Sequence, residues 1–85
     1  MNNDKLIELN SIVELIISDT NLDIKETLIN VVDGLDIKDQ RLAYRHMNTL
    51  FLNADVNRLN EIGISVKPRL HESRKIICEL FEIIK

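Results

Sequence analysis

Apolar residues recur along this chain in steps of three and four, the spacing of one helix face, and nowhere in the strict alternation of a half-buried strand. Over residues 3–18 the stripe is Leu6, Leu9, Ile12, Val13, Ile16 and Ile17. A second stripe holds Ile24, Leu28, Val31, Val32 and Leu35, and a third, over 37–53, holds Ala43, Tyr44, Met47, Leu50 and Phe51, with Ala54 just beyond. The last, over 68–84, is Leu70, Ile77, Leu80, Phe81 and Ile84, with Pro68 suited to a first helical turn. A short extra helix is expected over 56–62, capped by Asp55 and stopped by Gly63, with Ile64 packing back on Leu59. The pattern predicts an all-α fold: a small antiparallel helical bundle of four main helices plus one short helix, one domain spanning 1–85.

One stretch is written twice. Leu22-Asp23-Ile24-Lys25-Glu26 returns as Leu35-Asp36-Ile37-Lys38-Asp39. Aspartate accepts hydrogen bonds from the free amides of a first helical turn, and an acid three positions later suits the positive end of the helix dipole. Each copy therefore opens a helix. The leucine before each cap lacks an apolar partner four residues into the helix, where Thr27 and Gln40 stand, so the hydrophobic staple is weak. Gly34 supplies the left-handed residue that ends the short helix between the copies. There is no third copy, and the period is too short for a solenoid unit.

Composition narrows the picture. The chain has 85 residues, 45% of them apolar and only 4% aromatic, so its core must be built from aliphatic side chains. At this size roughly two thirds or less of the unfolded surface can be buried, which makes a dense core or self-association valuable. A single cysteine excludes an internal disulfide, and no Cys/His spacing fits a structural zinc site. The start lacks the basic and apolar regions of a signal peptide, and no apolar run approaches the roughly 20 residues of a membrane span. A cytoplasmic protein without membrane attachment is expected.

The net charge of −3 is unevenly placed. Residues 1–40 carry nine acids against three bases, and residues 41–85 carry eight bases against five acids. Such asymmetry serves a nucleic-acid face, or equally two halves that attract each other within a bundle or a dimer. The overall negative sign favours the second.

Two constellations are candidates for chemistry. Arg41-Leu-Ala-Tyr-Arg-His46 resembles the Arg-x4-6-His motif of HEPN-type ribonucleases, all-helical proteins in which the pair acts on the RNA phosphate from a dimer cleft. The resemblance implies roles for Arg41 and His46, although Leu42 replaces the polar residue usual after the arginine. The other, Arg58 to Lys75, has the helix, glycine turn and helix of a DNA-binding helix-turn-helix, with Lys67, Arg69, Arg74 and Lys75 as phosphate contacts. Against it, Leu59 stands where a tight crossing wants a small residue, and Arg69 and Glu72 stand where the recognition helix would bury apolar ones. His71 and Cys78 are two helical turns apart, too far to share a metal unaided. No Ser-His-acid set, phosphate loop or metal cluster is present, so neither catalysis, cofactor nor small-molecule substrate is expected.

Two segments also look like known regulators. Ser18 to Asp36, with the helix before it, is similar to the small helical biofilm and acid-resistance regulators of enterobacteria. The segments LNEIG and RKIICEL look like a stretch of the anti-sigma protein of T-even phages. Both families bind other proteins.

The remaining signal is surplus. Ile7 and Leu15 lie outside the stripe of the first helix, and Leu42 and Leu52 outside that of the third. Four large aliphatics on the wrong sides of two helices imply a second apolar contact. The expectation is a small non-enzymatic protein-interaction module, such as a regulator, inhibitor or adaptor. It would act through Ile7, Leu15, Leu42 and Leu52 on a protein partner or on itself as a homodimer. The helix-turn-helix reading over 55–75 is the alternative and the ribonuclease a remote one.

Overall fold

The chain folds as an all-α bundle of four helices, seen in a computed structural model that describes residues 1–61 and 66–84, the side chains of 55–61 excepted. They are α1 (Asn3–Ser18), α2 (Ile24–Val31), α3 (Ile37–Glu61) and α4 (Lys67–Ile83). Both copies of the repeated segment open helices as the sequence implies. The Asp23 carboxylate accepts from the Glu26 amide at 2.8 Å, and Asp36 accepts from the Asp39 amide at 2.8 Å. The staple positions are polar in action as well as in sequence. Thr27 donates to the Asp23 carbonyl at 2.7 Å, and Gln40 donates from its side chain to the Leu35 carbonyl at 2.9 Å. Gly34 has φ 86°, the left-handed conformation that turns the chain from α2 into α3. Pro68 sits in the first turn of α4, where its missing amide hydrogen costs nothing.

One element differs. The short helix expected over 56–62 is not separate, because α3 runs unbroken from Ile37 to Glu61. No glycine or proline lies between 37 and 61 to interrupt the ladder, and a helix passes through an aspartate more cheaply than it restarts. The stop at Gly63 and the contact of Ile64 lie outside the described residues.

Every stripe residue of the four main helices is in the core or packed against it. Leu9, Ile16, Leu28, Met47, Phe51 and Leu70 are the fully buried centre. Among the described residues two hydroxyls enter this core and both are satisfied. Tyr44 donates to the Leu28 carbonyl at 2.9 Å, and the fully buried Ser73 donates to the Arg69 carbonyl at 2.8 Å.

Chain-consecutive helices run antiparallel, but the neighbours are not all consecutive. The start of α1 meets the end of α2, where Lys5 donates to the Val31 carbonyl at 2.6 Å. The start of α3 meets the end of α4, where the Arg41 guanidinium lies 5.0 Å over the Phe81 ring. α1 packs beside α3, and α2 beside α4. The N-terminal amine of Met1 is 3.7 Å from Asp39, and further along His46 Nε2 is 3.0 Å from Asn10 Oδ1. Both sequences rise together, so α1 and α3 are parallel. They form one layer of the bundle, with one outward face.

Candidate functional site: the outer face of the α1–α3 layer

The four surplus aliphatics all reach solvent on this layer: Ile7 is 62% exposed, Leu15 45%, Leu42 40% and Leu52 41%. At about 100° per residue, Ile7 lies about 60° from Asn10 on the outward side of α1, and Leu42 about 40° from His46 on the outward side of α3. The Asn10–His46 hydrogen bond spans the groove between the helices. Ile7 and Leu42 therefore flank that groove one turn below the bond. Leu15 and Leu52 lie further round, on the two far shoulders of the layer. Ile7 and Leu42 thus lie together on the outward face, while Leu15, about 140° round from Asn10, and Leu52, about 120° round from His46, point to the flanks.

Charge divides the two helices. Asp4, Glu8 and Glu14 are exposed acids of α1 and Lys38, Arg41 and Arg45 exposed bases of α3, but Asp4 and Glu8 line a pocket with Lys5 and Leu35, and Arg45 lines the groove between α3 and α4. The one lysine of α1, Lys5, is turned away towards α2, held by the Val31 carbonyl and by Glu8 at 3.3 Å. Asp39, the acid in the first turn of α3, is turned to the N-terminal amine. An acidic helix and a basic helix thus lie side by side.

The other candidate residues are not brought together. Arg41 and His46 point to opposite flanks of α3: the first lies over Phe81 of α4 and the second bonds Asn10 of α1. Of the basic quartet, Lys67 and Lys75 are exposed, but Arg69 faces inward. Its Nε donates to the Ile16 carbonyl at 2.8 Å, and its Nη2 donates to the carbonyls of Asp19 and Leu22 at 2.7 Å each. A guanidinium spent on three carbonyls is withdrawn from phosphate. Arg74 is half-buried, with its Nε enclosed and unpartnered, as is Asn48 Oδ1. The turn of the helix-turn-helix reading lies outside the described residues. Cys78 is exposed beside a groove of about 250 Å³ between α3 and α4.

Sequence reasoning put Arg69 among the phosphate contacts because a long basic side chain at a helix edge reads as solvated. It missed the exposed Ile29, Ile37 and Ile83, which the same helix-face test would have found. Among the described residues there is no group of three potential metal ligands, and no helix long and apolar enough to cross a membrane. Burial raises the Tyr44 hydroxyl above its ordinary value of 10.0. Comparison with models of protein families, with curated proteins and with solved structures finds no match.

Proposed function

We propose that this chain is a small cytoplasmic protein-interaction module, a regulator or adaptor, that works through the outer face of the α1–α3 layer without catalysis. The observation that carries the reading is the exposure of Ile7, Leu15, Leu42 and Leu52 on one layer whose inner face already fills the core. Aliphatic side chains on a second face do nothing for a monomer, while burying each contributes roughly 1.5–3 kcal/mol to an association. The charged residues around them supply orientation and partner choice.

The test compares wild type with Leu15→Lys and Leu42→Lys, each as bait in host extract and each in a dilution series by light scattering. Loss of a retained protein, or of self-association, in the variants supports the reading. Identical behaviour of all three chains rejects it. So does RNA hydrolysis by the purified protein that disappears in His46→Ala, which would transfer the assignment to the ribonuclease.

A further inference from the structure

Among the described residues the ion pairs are Met1–Asp39 and Lys5–Glu8, and neither takes up a base of α3. Lys38, Arg41 and Arg45 are all exposed. At about 100° per residue they fall within about 60° of one another, on one stripe of α3 about 10 Å long. The stripe borders the groove between α3 and α4. One part of that groove, about 330 Å³, is walled by the three cations with Ile37, Leu42 and Phe81. The next part, about 250 Å³, shares Arg45 and Phe81 with it and runs on over Ile77 to Asn48, with Glu82 on its α4 rim. Among the described residues no acid lines the first part, so Lys38 and Arg41 face it unopposed.

Arg41 is set for a carboxylate. Its guanidinium lies 5.0 Å over the Phe81 ring, which holds the plane and leaves N–H donors along the edge. A planar fork of that kind takes a carboxylate bidentately. Beside it Ile37 is 58% exposed. A ligand covering only the cations would leave this isoleucine in water, and one covering only the apolar wall would strip water from unpaired charge. The occupant that suits both is anionic and apolar at once. Single-stranded nucleic acid is a poor match, because it binds by stacking bases on aromatic faces. Here Tyr44 and Phe51 are buried, and Phe81 packs between the core and Arg41. An amphipathic helix is a good match. Its acids, three or four residues apart, repeat at the spacing of Lys38, Arg41 and Arg45, and the apolar residues beside them enter the groove.

We infer that the α3–α4 groove docks an acidic amphipathic helix of a partner protein. Its carboxylates pair with Lys38, Arg41 and Arg45, and its apolar edge packs on Ile37 and Phe81. This groove lies on the opposite flank of α3 from the contact with α1.

Binding of defined probes tests it: a labelled helical peptide with Glu on one face and Leu along its edge, the same peptide with Gln for Leu, a single-stranded oligonucleotide, and phosphatidylglycerol vesicles. The Glu–Leu peptide should bind, and Lys38→Glu and Arg41→Glu should each raise its dissociation constant roughly tenfold or more. Arg41→Lys keeps the charge but loses the fork, and should raise it severalfold. Lys25→Glu, at an exposed cation of α2, should leave it unchanged. All these positions are exposed, so folding is retained and circular dichroism checks it. A wild type that does not bind the peptide overturns the inference, as do Lys38→Glu and Arg41→Glu chains that bind it normally. Equal binding of the Gln peptide overturns it too, because charge alone would then suffice. Tighter binding of the oligonucleotide or the vesicles replaces the acidic helix with nucleic acid or membrane. Leu15→Lys, which probes the α1–α3 layer, should not change peptide binding, so the two readings fail separately.

Discussion

Arg69 ties α4 to the far end of α1, and no other described side chain makes so many long-range hydrogen bonds. The carbonyls it caps, those of Ile16, Asp19 and Leu22, belong to the end of α1 and the link to α2, where helix geometry leaves acceptors without donors. Arg69→Ala should lower the unfolding free energy by about 2–4 kcal/mol, read from urea denaturation, because charge-assisted hydrogen bonds are lost and partly buried carbonyls are left bare. Arg69→Lys should recover less than half, since an ammonium cannot serve three acceptors with a planar fork. Tyr44 gives a second residue-scale prediction. Its hydroxyl is buried against the Leu28 carbonyl, and burial holds its ionisation above 10.0. Below that value both folded and unfolded chains keep the proton; above it the unfolded chain releases it first. Stability contributed by the neutral hydroxyl is therefore complete below about pH 10 and is lost as pH rises through the raised folded value. With one tyrosine and no tryptophan, the tyrosinate absorbance reports this directly. Tyr44→Phe should cost about 1 kcal/mol at neutral pH and lessen the alkaline decline in stability.

At the scale of the element, what was legible was what is local. Asp23 and Asp36 were readable as caps because a carboxylate reaches only the amides next to it, and Gly34 because no other residue takes positive φ freely. Asp23→Ala and Asp36→Ala should each cost about 1 kcal/mol in thermal or chemical unfolding. At Gly34 an added Cβ meets nothing within 4 Å, so the cost of Gly34→Ala is backbone strain alone. It should be about 1 kcal/mol, with Gly34→Asn costing less. The aliphatic stripes were equally plain, since burial needs only the right period. The misreading of α3 has the same origin. Asp55 looks like a cap by its own chemistry, but capping also requires the backbone before it to leave the helix, and nothing from Asn53 to Val56 forces that. The role of Arg69 depends on a partner some fifty positions away, and no local rule contains it. The four site aliphatics were visible as helix-face outliers, while their gathering on one layer required knowing that α1 and α3 are neighbours.

For the whole molecule, the parallel placement of α1 beside α3 matters more than any single contact. The acidic α1 and the basic α3 are neighbours in this bundle. The inner faces of both helices are occupied by the core, so the outward aliphatics are free to serve a second copy. If the dimer forms, only the folded state binds, and the melting temperature must rise with protein concentration. A monomer has a concentration-independent melt. Salt should separate the two parts of the contact. Charge interactions around such a contact weaken as the Debye length falls from about 10 Å at 0.1 M to about 3 Å at 1 M, whereas burial of the exposed aliphatics does not. The dimer should therefore weaken between low and moderate salt and then level off instead of vanishing. Leu15→Lys should make a chain that is monomeric yet still folded, with a melting temperature that no longer depends on concentration, because Leu15 has no part in the core. Calorimetry over a hundredfold concentration range, at two salt levels, measures all of this together. A wild-type melt that stays fixed across that range would leave these aliphatics without a second copy to cover them.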